Sequence, residues 1–144
     1  MKNNSINNNG NDDILFTAKV EHITPPSLEC SEARYQLSIM TSNDRQWYKE
    51  CSLNELSSFR NVLIYYFPNI SNLPFPSKSL LSYLPLIGYK YDERNWDVLL
   101  ENKFILDDFF NAICQDTQLY KLTIFEEFFE QPRETIRNSF FDVC

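Results

Sequence analysis

The first third of the chain alternates apolar and polar residues with the period of two that is typical of β-strands. Three such stretches follow one another, "DILFTAKVEHI" at 13–23, "RYQLSIM" at 34–40 and "RQWYKEC" at 45–51. Pro25 and Pro26 separate the first two stretches because proline cannot continue a strand ladder. The "TSND" sequence at 41–44 has the composition of a turn. The pattern therefore predicts a three-stranded antiparallel meander.

After Cys51 the apolar residues recur at helical spacing. Ser52 and Glu55 have the spacing of a capping box, which predicts Ser52 as the N-cap of a first helix. This helix should end near Phe67, because a residue that precedes proline disfavours the helical conformation. The residues that recur at helical spacing are Leu56, Phe59, Leu63 and Tyr66.

Two further helices are predicted after a proline-rich loop, over 92–114 and over 116–130. Strands first and helices afterwards indicate an α+β fold, with a meander followed by a helical subdomain. We expect the helical core to include Trp96, Phe109, Phe125 and either Phe128 or Phe129. The wide apolar face of the 92–114 helix is predicted to consist of Trp96, Leu99, Leu100, Lys103, Leu106, Phe109, Phe110 and Ile113, and the anchors of the last helix are predicted to be Leu119, Leu122, Phe125 and Phe129.

The 144 residues suggest one domain with two flanking segments. Residues 1–12 form an asparagine-rich tail without apolar anchors, which predicts disorder. The folded domain is expected over 13–131. A C-terminal extension over 132–144 is predicted to add a helical turn or two.

Composition restricts the function. A net charge of −7 argues against broad attraction to nucleic acid or to anionic lipid. Only two glycines are present, which excludes a glycine-rich phosphate loop. The four cysteines lack metal-ligand spacing, the single histidine is His22, and no nucleophile motif is visible. We therefore expect no catalysis, no metal and no cofactor. The absence of a signal sequence favours free thiols and a cytoplasmic location.

The order of these parts resembles the phox-homology (PX) domain. The similarity extends from about Asp13 to Glu130 and rests on three short motifs in the family's order. They are "YFP" at 66–68, "LPFPSK" at 73–78 and "LLENKFILDDFF" at 99–110. The second motif looks like a shortened form of the family's proline loop with its lysine, and the third looks like the family's arginine-bearing helix.

The resemblance implies a non-catalytic module that binds phosphoinositide headgroups at the surface of endosomal or cortical membranes. In the family, the proline loop lies beside the headgroup pocket and inserts apolar side chains into the membrane. The residues implied for insertion are Leu73, Phe75, Leu80 and Leu81. A loop stiffened by prolines loses little entropy when it inserts.

The headgroup positions depart from the family pattern. Counting back from Phe67 and Pro68 places Ser52 where the first arginine belongs, whereas alignment of the helix caps places Glu50 there. The second arginine corresponds to Asn102, and Lys78 alone matches outright. The implied headgroup candidates are Lys49, Ser52, Lys78, Asn102 and Lys103. Because only arginine holds phosphate in a bidentate manner, weak or atypical binding is expected.

Two hypotheses for the function follow. The first is a peripheral module for membrane trafficking or polarity scaffolding that binds phosphoinositide weakly. The second is a lipid-independent adaptor that uses the same fold to bind a protein partner. Neither hypothesis involves nucleic acid.

Overall fold

The computed structural model describes residues 14–76 and 93–131 of the chain. They form an α+β structure in which a three-stranded antiparallel sheet precedes the helices. The strands are β1 (Phe16–Thr24), β2 (Arg34–Thr41) and β3 (Gln46–Cys51), and the α-helices are α1 (Leu53–Tyr66), α2 (Trp96–Cys114) and α3 (Thr123–Phe129). Short 3-10 turns at Pro68–Asn72 and Leu119–Lys121 follow α1 and precede α3. The predicted order of strands and helices is thus confirmed for these residues.

The sheet is a meander of order β1-β2-β3. Val20 pairs with Leu37, and Leu37 pairs with Lys49, so these three residues lie in one row across the sheet. The register of β1 against β2 shifts between Val20 and His22, which makes Glu21 an extra residue in the ladder. Asp44, at the β2–β3 turn, has a φ of 67°, a conformation that aspartate tolerates better than most residues.

The predicted first helix is confirmed with its cap. The Ser52 hydroxyl accepts a hydrogen bond from the Glu55 amide, and the Glu55 carboxylate accepts one from the Ser52 amide. The helix ends at Tyr66, before Phe67 and Pro68, as the effect of proline on the preceding residue predicts.

The predicted helix over 116–130 is divided. Leu122 has an extended conformation between the 3-10 turn and α3. The Tyr120 hydroxyl donates to the Cys114 carbonyl at 2.8 Å and accepts from the Phe16 amide at 2.9 Å. These bonds hold the turn against β1, and a continuous helix over 116–130 is therefore wrong.

The core lies between the sheet and the helices. Phe109, Phe125 and Phe129 are buried as predicted, whereas Phe128 is partly buried and stacks on Phe59 with ring centroids 3.9 Å apart. The prediction for Trp96 is wrong, because half of its surface is exposed. The other core residues of α2 are Val98, Leu99, Asn102, Leu106, Phe110, Ile113 and Cys114.

Two cysteines, Cys51 and Cys114, are free and buried. Burial raises the pKa of each thiol to about 12. The expectation of free thiols is wrong for Cys30, which is disulfide-bonded.

Within 14–76 and 93–131, no helix is long and apolar enough to cross a membrane. The predicted tail at 1–12 and the predicted extension at 132–144 lie outside the described residues, as do Lys78, Leu80 and Leu81.

Candidate functional site

Ser52 lies at the junction of β3 and α1, where the resemblance expects an arginine. Its hydroxyl is 3.2 Å from the Glu55 amide nitrogen, and its own amide is 2.8 Å from a Glu55 carboxylate oxygen. Only 5% of the residue is exposed. Its polar groups therefore satisfy the first turn of the helix, a role that accounts for the serine without a ligand.

Lys49 is held between β3 and the end of α3. Its Nζ atom donates to the Phe128 carbonyl at 3.0 Å and lies 4.3 Å from the centroid of the Phe128 ring. A cation near the last carbonyls of a helix is favoured by the helix dipole, and its position over an aromatic face adds a cation–π attraction. Lys49 thus joins two elements that are far apart in the chain.

Asn102 belongs to a buried polar chain that joins α2 to β2. Its Nδ2 atom donates to the Tyr35 hydroxyl at 3.0 Å, and that hydroxyl donates to a Glu93 carboxylate oxygen at 2.7 Å. The other Glu93 oxygen accepts from the Ala33 amide at 3.3 Å. The position where the resemblance expects a second arginine therefore holds a neutral side chain that is linked to a carboxylate.

Lys103 is paired within α2. Its Nζ atom lies 2.9 Å from an Asp107 carboxylate oxygen, and the other Asp107 oxygen accepts from the Val20 amide at 2.7 Å. This carboxylate binds the edge strand β1 at its bulge. The pair therefore helps to dock α2 on the sheet.

The two described lysine candidates lie at opposite edges of the sheet. Lys49 lies on β3, whereas Lys103 shares Asp107 with β1, and β2 runs between these strands.

The insertion candidates Leu73 and Phe75 pack against the core. The Phe75 ring meets Phe109 edge-on, with centroids 5.1 Å apart. Their role at a membrane stays a prediction.

A cavity of about 990 Å³ lies between the β2–β3 turn and α3, and none of these candidates lines it. Its walls include three aromatic rings, those of Phe16, Trp47 and Tyr120. The rings pack on one another, since Phe16 stacks on Tyr120 at 5.9 Å and meets Trp47 edge-on at 6.4 Å. Its lining also includes charged residues of both signs, Arg45, Lys121, Glu126, Glu127 and Glu130.

In the part of the chain that the structure describes, no three His, Cys, Asp or Glu side chains are placed to hold a metal ion. The buried thiols of Cys51 and Cys114 have pKa values raised to about 12, so they stay protonated near neutral pH. A protonated thiol is a poor nucleophile.

The structure reveals an exposed apolar row on α2 that the sequence interpretation had assigned in part to the core. We name Trp96, Leu100 and Phe104 the α2 stripe; their exposed fractions are 50%, 36% and 63%. Their spacing of four residues is the signal for a shared face, because each step of four turns about 40° around the helix axis. The sequence interpretation placed Trp96 and Leu100 in the core-facing set and omitted Phe104.

Comparison of the chain with models of known protein families and with curated proteins finds no match in either set.

Proposed function

We propose that the chain is a non-catalytic interaction module with a PX-like arrangement, and that it binds a protein partner rather than a phosphoinositide headgroup. The order of a three-stranded meander, a helix that ends before Pro68 and two further helices supports the PX-like arrangement. The observation that carries the choice of partner is that the described headgroup candidates already have partners inside the domain.

Lys49 illustrates the energetic argument. A hydrogen bond to a charged group contributes about 1.5–3 kcal/mol, and a cation–π contact contributes about 0.5–1 kcal/mol at an exposed site. To bind a phosphate in their place, Lys49 would lose its bond to the Phe128 carbonyl and its contact with that ring. The new contact would replace interactions of similar strength, and the net gain would be small.

The α2 candidates add little to a headgroup site. Asn102 carries no charge, and only 2% of the residue is exposed. Lys103 lies beside Asp107, whose negative charge would repel a phosphate that approached the lysine. A protein partner requires no such concentration of positive charge, because interfaces depend mainly on a few buried aromatic and apolar anchors.

Liposome flotation of the full chain tests this proposal. Vesicles with singly, doubly or triply phosphorylated phosphoinositides are compared at low and at physiological salt. We expect no flotation that survives physiological salt, and no difference between the wild type and a Lys103→Met variant whose circular dichroism is unchanged. Salt-resistant flotation with one phosphoinositide would overturn the proposal, and its loss in Lys103→Met would place the headgroup beside α2.

Phosphoinositide binding through the proline loop is the second candidate, and the "LPFPSK" motif at 73–78 favours it. Under this hypothesis Lys78→Glu abolishes weak flotation at low salt, and Ser52→Arg strengthens it by adding a guanidinium at the position of the family's first arginine. If neither variant changes flotation, the motif does not serve as a lipid loop.

A further inference from the structure

The side of α2 that faces solvent combines an apolar row with a row of carboxylates. Trp96, Leu100 and Phe104 form the α2 stripe, and exposed Asp97, Glu101 and Asp108 lie along one side of it. At 3.6 residues per turn, the stripe spans roughly 80° of the helix surface, and the three acids occupy about the next 40°. We define these acids as the acidic flank.

On the opposite side of the stripe, the Lys103 ammonium is paired with the Asp107 carboxylate. The Lys103 ammonium lies 5.5 Å from the Phe104 ring centroid, and Asp107 neutralises it at 2.9 Å. Within α2, the charge beside the stripe is therefore that of the acidic flank.

We infer that this face of α2 is the docking site for a basic amphipathic helix of a partner protein, an inference that rests on the proposed protein-binding function. The stripe extends over about 12 Å along the axis, since eight residues rise about 1.5 Å each. Two turns of a partner helix present anchors at i, i+3 or i+4, and i+7 over the same length. Lysine or arginine beside these anchors would face Asp97, Glu101 and Asp108.

Charge argues against the other occupants of this face. In a two-fold dimer, the acidic flank would face either the flank of the second copy or its Lys103, which is already paired with Asp107, so neither arrangement supplies complementary charge. An anionic membrane would be repelled by the same carboxylates and by the net charge of −7. A second exposed apolar patch, formed by Val62, Tyr65 and Tyr66, lies on α1, where Glu55 and Arg60 are the only charged residues and form no row that specifies a partner.

The fluorescence of Trp96 gives a direct measurement. The probe is a synthetic 18-residue helix made of leucine and lysine, with the leucines on one face, and the control peptide contains glutamate in place of lysine. We expect the lysine peptide to shift the emission of the full chain to the blue, with an affinity that falls as salt increases. Trp96→Phe keeps the stripe apolar and should remove the shift, which separates it from a response of Trp47.

Variants on the exposed surface locate the binding. We expect Phe104→Ala to weaken binding about tenfold or more, as for an aromatic anchor at an interface. Tyr65→Ala, which removes an exposed aromatic ring from α1, should leave binding unchanged. Equal effects of the two variants would overturn the inference.

Reversal of the flank tests the charge argument. The triple variant Asp97→Lys, Glu101→Lys and Asp108→Lys should no longer bind the lysine peptide and should bind the glutamate peptide instead. A second triple variant carries the same change in net charge on other exposed positions, Glu21→Lys, Glu126→Lys and Glu127→Lys. This control should still prefer the lysine peptide. If it also binds the glutamate peptide instead, the net charge of the chain and not the acidic flank determines which peptide binds, and the inference is wrong.

The remaining outcomes all contradict the inference. These are no response to the lysine peptide, a Trp96 emission that is already blue-shifted in the free chain and does not respond, and self-association that Phe104→Ala abolishes. Failure of the proposed function looks different, since it appears as salt-resistant flotation with phosphoinositide vesicles. Flotation that Phe104→Ala abolishes would assign the stripe to a membrane and would overturn both.

Discussion

Replacement of Phe109 by alanine should destabilise the domain strongly, whereas the same replacement at Phe104 on the same helix should not. Phe109 is 1% exposed, and its ring meets Phe75 edge-on at 5.1 Å and Phe110 at 5.6 Å. Removal of a buried phenylalanine ring costs about 3–5 kcal/mol, through lost transfer free energy and the cavity left behind. Part of this cost is the loss of the two aromatic pairs, each of which contributes about 0.5–1.5 kcal/mol.

Phe104 is the matched control, because 63% of its surface is already in solvent. Surface substitutions usually change stability by no more than about 0.5 kcal/mol. Alanine also has the higher helix propensity, which offsets the small loss of contact with Lys103. We therefore expect the free energy of unfolding of Phe104→Ala to match that of the wild type.

Urea denaturation followed by far-ultraviolet circular dichroism measures both variants, with the slope m as a check that the transition stays two-state. A loss of 3–5 kcal/mol is large against the roughly 5–15 kcal/mol that a domain of this kind has in total. If Phe109→Ala does not fold, Phe109→Leu retains more apolar volume and should show a smaller loss in the same direction. Equal losses at 104 and 109 would refute the assignment of the core face of α2, and with it the α2 stripe.

Three further changes test the local interactions. Ser52→Ala should lower the free energy of unfolding by about 1 kcal/mol through loss of the N-cap, and Ser52→Asn should restore most of it; equal values for both would contradict the capping role. Lys49→Met should cost about 1.5–3 kcal/mol, since it removes the bond to the Phe128 carbonyl, and an unchanged urea midpoint would contradict this role. Burial raises the pKa of the Cys51 and Cys114 thiols from 9.0 to about 12 in the folded chain. The unfolded thiols therefore ionise first as the pH rises above 9, and stability should fall between pH 9 and 12 by up to about 1.4 kcal/mol per pH unit for each thiol. Urea midpoints measured from pH 8 to pH 11 should fall less steeply when both cysteines are replaced by alanine, and parallel profiles would contradict the argument.

The features that the sequence predicted correctly depend on residues that are close together in the chain. The strands follow from alternation over a few residues, and the start of α1 follows from the three-residue spacing of Ser52 and Glu55. The end of α1 follows from Pro68 and its neighbour. Each of these signals acts through local backbone geometry, and distant parts of the chain are not needed to interpret it.

The core face of α2 could not be assigned in this way. Apolar residues cover much of the circumference of this helix, from the buried side at Leu99 and Leu106 round to the exposed side at Trp96 and Phe104. Periodicity shows that such a helix has a wide apolar surface, but only the position of the sheet decides which part is covered. For this reason the sequence pattern predicts Trp96 in the core, whereas the folded chain leaves half of its surface exposed.

For Lys49, the local sequence pattern predicts the direction of the side chain but not its partner. Along β3 the side chains of Trp47, Lys49 and Cys51 share the face that packs on the domain, while Gln46, Tyr48 and Glu50 are exposed. The alternation of the strand is thus the signal that indicates an inward-facing Lys49. Its partner is a carbonyl 79 residues later in the chain, and no local pattern identifies it. An inward-facing lysine must satisfy its charge, and the end of α3 provides an acceptor and an aromatic ring for it. The resemblance assigns this lysine to a ligand, whereas the folded chain has already paired it, and this difference is the physical basis for favouring a protein partner over a headgroup.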